Sequence, residues 1–227
     1  MSNITYTFFD DENVVIERIN SLVDLMKNEL QKTRDLYVED LYLWSAIDKS
    51  LKLIDTFLFA LNQRNITILA ALTRIQMDCV LRSYATTLVP DSGKFCEQVL
   101  FENARIDLIT DTKNKRLTDR YLCESLSTVL NLPLYDLYQK VCGYVHFSSS
   151  SFYNTAKTDG NNVLTMNISK GNRDDLSETY ERLSIELANH FYYFGKILIT
   201  VIVTTVLTQK ISFIVEEKFH CVEKRCI

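Results

Sequence analysis

Apolar residues recur at steps of three and four along almost the whole chain, which is the spacing of one face of an α-helix. The pattern predicts helices over 10–32, 41–61, 65–88, 91–109 and 117–130, and two more that begin near Pro133 and Asp175. Asn65 and Asp91 are suited to N-cap the third and fourth helices, and Pro90 stops the third. We therefore predict an all-α protein, a helical bundle of about seven helices.

Three stretches after residue 146 depart from this regular pattern. A turn signal at 159–162 lies between two short β-compatible pieces, which predicts one small β-hairpin near 151–168. The β-branched run 196–210 is compatible with either a helix or a strand. The tail 211–227 is rich in Glu and Lys, and we predict that it is extended or binds a partner. Because no composition shift marks a second domain, 1–227 is predicted to form a single helical domain.

Composition places the chain among soluble globular proteins. It has 227 residues, of which 47% are hydrophobic and 24% charged, so it can bury a large core without a disulfide or a metal ion. The net charge of −4 argues against a dedicated nucleic-acid coat protein and leaves a local basic groove open. The six cysteines form no CxxC pair, which is typical of reduced thiols, and we predict no metal site and no cofactor.

The most apolar stretch is too short for a membrane span. Only 13 residues lie between Lys196 and Lys210, whereas a membrane-spanning helix needs roughly 20. We therefore predict a buried core segment at this position, in a cytoplasmic protein that does not contact a membrane.

Three charges share one side of the helix predicted over 65–88. Arg74, Asp78 and Arg82 fall on a stripe about 80° wide, while most other directions around this helix are apolar. A helix of this kind lies in the centre of a bundle, so its charges are expected in a semi-buried polar cavity. Two interpretations stay open. In the first, Asp78 forms ion pairs with both arginines along the helix and the three residues are only structural. In the second, one arginine keeps unpaired guanidinium N–H donors that bind an anionic ligand such as a phosphate.

A second group of polar residues lies at the end of the helix that begins near Pro133. Lys140, Tyr144 and His146 offer a cation, a phenol and a titratable base near one helix end, followed by Ser148. On an unbroken helix Lys140 lies about 120° from His146, and a kink at Gly143 could bring the two together. The alternative is that His146 is a satisfied capping or core residue.

The 12 tyrosines and 12 phenylalanines recur at helical spacing. We interpret them as packing residues. A base-stacking platform would need basic residues interleaved with the rings on one face.

The all-helical pattern, with a late helix that carries a cation, a five-residue gap and a histidine, resembles the HEPN superfamily of small bacterial and archaeal helical proteins. That superfamily includes toxin and antiviral ribonucleases, whose active members pair two motifs of Arg, four to six residues and His across a homodimer. In this chain Lys140 stands at the Arg position. The resemblance implies metal-independent RNA cleavage, with His146 as acid/base or water-orienting group and Lys140 stabilising charge on the phosphate.

Two functions of different classes follow. The first is an HEPN-like effector or toxin that acts on RNA, in antiviral defence, as a homodimer controlled by an antitoxin or a sensor protein. Its predicted catalytic residues are His146, Lys140 and Tyr144, and its predicted binding residues are Arg74, Asp78, Arg82 and Ser148. The second is a non-catalytic helical module that binds a ligand or a protein partner. The first requires the imidazole and the arginine-bearing helix to meet in one polar pocket.

Overall fold

A computed structural model describes residues 37–63, 65–146, 156–158, 164–166 and 177–223, together with helical residues at 17, 20, 21 and 23–28. In the last helix it describes the side chains of 181–205. Its α-helices with described bounds are α1 (Val38–Asn62), α2 (Ile66–Ala85), α3 (Ser92–Phe101), α4 (Asp119–Leu130), α5 (Leu134–Val145) and α6 (Ser177–Glu223). A 3₁₀-helix covers Ile106–Leu108. The predicted all-α class is confirmed.

The predicted N-caps of α2 and α3 are confirmed. The Asn65 side chain accepts a hydrogen bond from the Ile68 N–H at 3.2 Å, and the Asp91 side chain accepts one from the Lys94 N–H at 2.9 Å. Each cap satisfies a backbone donor that has no partner within the helix. These two short polar residues therefore fix where the helices on either side of Pro90 begin.

The fourth predicted helix was expected to reach residue 109, and this prediction is wrong. Helix α3 ends at Phe101, because Asn103 adopts a left-handed conformation with φ 54° and the Ala104 N–H bonds back to the Gln98 carbonyl at 2.9 Å. The apolar residues beyond this stop pack against the core from the 3₁₀-helix instead.

The run 196–210 is helical, which resolves the choice between helix and strand. Helix α6 continues through it to Glu223, so the prediction of an extended tail over 211–227 is wrong as far as that residue, and partner binding by the tail stays a prediction. Within α6, Leu198, Val201 and Ile202 are buried, so packing overrides the strand preference of the β-branched residues.

Among the described residues, Glu181–Thr205 is the segment long and apolar enough to cross a membrane, and 50% of its most apolar window is buried inside the bundle. The exposed side of this segment carries Lys196, Thr200 and Thr204 at helical spacing. That distribution is typical of a core helix. The cytoplasmic location stays a prediction.

Two short strands pair within the stretch where a hairpin was predicted. Ala156–Thr158 and Leu164–Met166 are antiparallel, with Lys157 opposite Thr165. The remaining residues of 151–168 lie outside the described residues, so the full hairpin stays a prediction.

Helix α2 is the centre of the bundle. It packs against α1, α4, α5 and α6, and its buried apolar residues belong to one hydrophobic cluster that also includes residues of all these helices. Phe57 of α1 and Phe191 of α6 stack in this core with ring centroids 4.0 Å apart. Since α2 is apolar on most sides, its three charged residues face the one direction where α4 and α5 supply polar partners.

Candidate functional site

Helices α2, α4 and α5 bring a group of polar side chains together at their junction. We call this group the Arg–Asp cluster, and it consists of Arg74, Asp78, Arg82, Asp119 and Tyr138. The first three come from α2, Asp119 from the first turn of α4, and Tyr138 from α5. All five are partly buried. The cluster therefore joins three helices through charged hydrogen bonds.

Arg74 is the most enclosed member, with its side chain 15% exposed. Its guanidinium pairs with Asp78, reaches Asp119 Oδ2 at 3.4 Å, donates from Nε to Cys142 Sγ at 3.2 Å, and lies 4.0 Å above the Tyr138 ring centroid. Burial alone would lower the pKa of Arg74, but the adjacent carboxylate of Asp78 outweighs it and raises that pKa. Arg74 is thus a cation held by two carboxylates, a thiol and a ring, although its Nη1 forms an ion pair with Asp78 and no hydrogen bond to a described residue.

Asp119 connects the two arginines. Its Oδ1 pairs with Arg82, while its Oδ2 accepts the Tyr138 hydroxyl hydrogen bond at 2.6 Å and faces Arg74. Burial, followed by this hydrogen bond to Asp119, raises the pKa of Tyr138, so its hydroxyl keeps its proton at neutral pH. Two arginines and two aspartates leave the cluster with no formal net charge.

The interpretation in which Asp78 pairs with both arginines is wrong in one respect. Asp78 pairs with Arg74, whereas Arg82 pairs with Asp119. Arg82 Nη1 and Asp78 Oδ1 are buried and have no hydrogen-bond partner among the described residues. The Arg82 side chain is 30% exposed. The half-buried setting was predicted, whereas the partner on α4 was not.

Lys140 lies in a different place, in a narrow cleft between α5 and α6. Its amine pairs with Glu186, and Tyr144 and His190 line the same cleft among leucines and Val141. The cleft volume is about 10 Å³, roughly what one water molecule needs. The structure thus brings together two predicted residues, Lys140 and Tyr144, with Glu186 and His190 of α6.

His146 is exposed at the C-cap of α5, where its backbone N–H bonds to the Cys142 carbonyl at 2.9 Å. Helix α5 is continuous through Gly143, so the spacing places Lys140 about 120° from His146 around the helix. His146 is not among the residues that line the Lys140 cleft. Ser148 lies outside the described residues.

The pKa of His190, the histidine in the cleft, differs from the usual value for histidine. Burial lowers the pKa of His190 to about 4, with Glu186 opposing the change and Lys140 adding to it. The imidazole is therefore neutral at physiological pH and able to accept a proton only in acid.

We expect this histidine to make the protein less stable in acid. The unfolded chain binds a proton at His190 below a pKa near 6.5, and the folded chain only below about 4. Stability should therefore fall as the pH decreases from 6.5 to 4, by about 2–3 kcal/mol from this group. Urea unfolding of wild type and His190→Asn across this range checks the expectation. A pH dependence of stability in His190→Asn that equals that of wild type would contradict the assignment.

The sequence alone did not single out three residues of these sites, namely Asp119, Tyr138 and Glu186, and it predicted a core or subunit-contact residue at His190. One local signal was present, because Glu186 and His190 are four residues apart and so share a face of α6. Asp119 and Tyr138 carry no comparable signal, since their partners lie on another helix.

Cys79, Cys96 and Cys123 are buried free thiols and Cys142 is a partly buried one, as predicted for reduced cysteines. No group of His, Cys, Asp and Glu suited to hold a metal ion occurs among the described residues.

In comparisons with known proteins, no family model, curated protein or solved structure matches the chain. The resemblance to the HEPN superfamily is therefore carried by the chain's own residues alone.

Proposed function

We propose that this protein is a non-catalytic helical module that binds its partner without cleaving it. The observation that carries the proposal is that each cation of the predicted sites is paired with a carboxylate of the same chain. The Arg–Asp cluster then has a structural role, because its ion pairs and hydrogen bonds hold α2, α4 and α5 in fixed positions relative to one another.

Metal-independent RNA cleavage needs a cation beside the group that moves the proton, so that charge on the phosphate is stabilised as it develops. Arg74 is enclosed by its partners, and extracting it would leave the partly buried Asp78 without a counter-charge and Asp119 with Arg82 alone. The Lys140–Glu186 pair is more exposed and weaker, with Lys140 47% exposed. Its amine pairs with Glu186 of α6, in a cleft whose lining does not include His146.

A second candidate is the HEPN-like effector or toxin that cleaves RNA, and one observation favours it. Tyr138 and Cys142 contact Arg74, and His146 is the next residue along that same face of α5, exposed to solvent. In this alternative His146 acts as acid/base, two copies form a homodimer, and an antitoxin or a sensor protein controls it in the cytoplasm.

We expect the purified full-length protein to leave total RNA intact. Wild type and His146→Ala, each incubated with total RNA in the presence of a chelator, should both give background degradation on a denaturing gel. A Lys140→Arg variant, which restores the arginine of the HEPN motif, should behave in the same way, because the side chain still faces Glu186. Pancreatic ribonuclease serves as the positive control.

Degradation by wild type that is lost in His146→Ala would overturn the non-catalytic proposal and support the effector. Circular dichroism of both proteins must show the same helix content, so that a loss of activity is not a loss of folding.

A further inference from the structure

The turn between the 3₁₀-helix and α4 carries an unbalanced positive charge. Lys113, Lys115 and Arg116 are exposed, and none of the three forms an ion pair with a described residue. The carboxylate of Asp111, just before the turn, interacts electrostatically with Lys113 and offsets one of the three charges. This contrasts with Arg74, Arg82 and Lys140, which are all neutralised locally. The turn is therefore a place where the chain offers cations to an outside anion.

The turn is held in one conformation by the residue before it. The carboxylate of Asp111, 5% exposed, accepts the backbone N–H groups of Lys113 and Lys115, both at 2.8 Å, and the Tyr121 hydroxyl hydrogen bond. Asn114 supplies the left-handed residue of the turn, with φ 59°. Because the backbone is fixed from inside, a partner would bind these cations without first ordering the loop.

Aromatic rings alternate with cations beside this turn. The Lys115 amine lies 5.4 Å from the Tyr121 ring centroid. The Arg120 guanidinium, which also pairs with Glu124 at 2.7 Å, lies 5.3 Å from the Tyr135 centroid. Tyr121 and Tyr135 are partly exposed, and Arg120 is exposed. Basic residues interleaved with rings on one surface form the arrangement that binds the phosphates and the bases of a single strand together.

We propose that this basic–aromatic surface binds single-stranded RNA. Its cations without an ion pair to a described residue are Lys113, Lys115 and Arg116, its rings are Tyr121 and Tyr135, and Arg120 lies at its edge, paired with Glu124. A duplex offers phosphates but hides its bases, and an acidic peptide or an anionic membrane offers charge without a base to stack, so the rings favour a single strand. The net charge of −4 gives the rest of the chain no general attraction for a polyanion. This proposal rests on the proposed function, because it names the partner that the module binds.

The test compares two triple variants that lose the same charge. Lys113→Gln/Lys115→Gln/Arg116→Gln removes the turn cations, and Lys49→Gln/Lys52→Gln/Lys94→Gln removes three exposed lysines elsewhere. The probe is a fluorescein-labelled single-stranded RNA of about 20 nucleotides, longer than the sites of roughly 4–16 nucleotides that such surfaces use. Fluorescence anisotropy at several salt concentrations gives Kd and its salt dependence.

We expect the turn variant to bind about tenfold more weakly and the control triple to stay within about twofold of wild type. The slope of log K against log salt should fall by about 2 in the turn variant, because each phosphate contact on a single strand contributes about 0.7. Tyr135→Leu, which keeps apolar bulk, should weaken binding about tenfold through lost stacking, with little change in the salt slope.

Equal weakening in both triple variants, or equal affinity for the single strand and for a duplex of the same sequence, would overturn the proposal. So would an absence of RNA binding together with turn-dependent binding to phosphatidylserine vesicles. These experiments distinguish a failure of the proposed function from a failure of the proposed RNA partner. Binding through this surface accompanied by cleavage would overturn only the non-catalytic function, whereas intact RNA that does not bind would overturn only the assignment of the partner.

Discussion

Phe191→Ala is expected to lower the free energy of unfolding by about 4 kcal/mol, the largest effect of the substitutions considered. Phe191 is 0% exposed and stacks on Phe57, which is equally buried, so truncation leaves a cavity between α1 and α6. For a chain of this length the melting temperature should fall by about 10 °C. Urea unfolding should show a lower midpoint with an unchanged slope.

The matched control is Phe59→Ala, two residues from Phe57 on α1. Phe59 is 67% exposed, so the same truncation should change the free energy of unfolding by less than about 0.5 kcal/mol. Equal effects of the two substitutions would show that α6 does not pack on α1 as described.

Asp119→Ala is expected to cost about 3 kcal/mol of stability. The substitution removes the carboxylate that pairs with Arg82, accepts from Tyr138 and faces Arg74. The partly buried Arg82 then loses its counter-charge, and Arg74 keeps Asp78 alone. A negative residue in the first turn of α4 also interacts favourably with the helix dipole, and this contribution is lost as well. Urea unfolding measures the change.

Asp48→Ala is the control for this second prediction. Asp48 pairs with Lys52 at 2.5 Å on α1, but its side chain is 58% exposed, so its removal should cost less than about 0.5 kcal/mol. A loss at Asp119 as small as the loss at Asp48 would mean that the Arg–Asp cluster does not hold α4 against α2.

The helices could be predicted from the sequence where local residues determine them. Asn65 and Asp91 cap α2 and α3 because their side chains reach backbone N–H groups three residues ahead, and such an interaction is visible in the sequence. The end of α3 was missed, because Ile106 and Ile109 keep a helix-like spacing although the chain turns at Asn103. Asparagine also occurs within helices, so its identity alone did not mark the stop.

The helical state of 196–210 depended on the tertiary structure. β-branched residues favour strands in isolation, and only burial against α2 makes the helix the better state for Val201 and Ile202. Periodicity could not separate the two possibilities over such a short run.

The candidate site could be predicted only for the part that lies on one helix. The spacing of Arg74, Asp78 and Arg82 gave their common face and half-buried setting. Asp119 is 37 residues from Arg82 in the sequence, and Glu186 is 46 residues from Lys140. Such pairs are determined by how helices pack, which no local pattern contains. They favour the structural pairing of the two interpretations that the sequence left open, with Asp119 as an added partner.

The measurement that tests the structural role of the Arg–Asp cluster most directly is a double-mutant cycle between Arg82 and Asp119. Unfolding free energies of wild type, Arg82→Gln, Asp119→Asn and the double variant give the coupling between the two side chains. If the cation is committed to the carboxylate, the coupling should be about 1–3 kcal/mol. A coupling near zero, with each single substitution almost neutral, would contradict the account and leave Arg82 available to an outside anion.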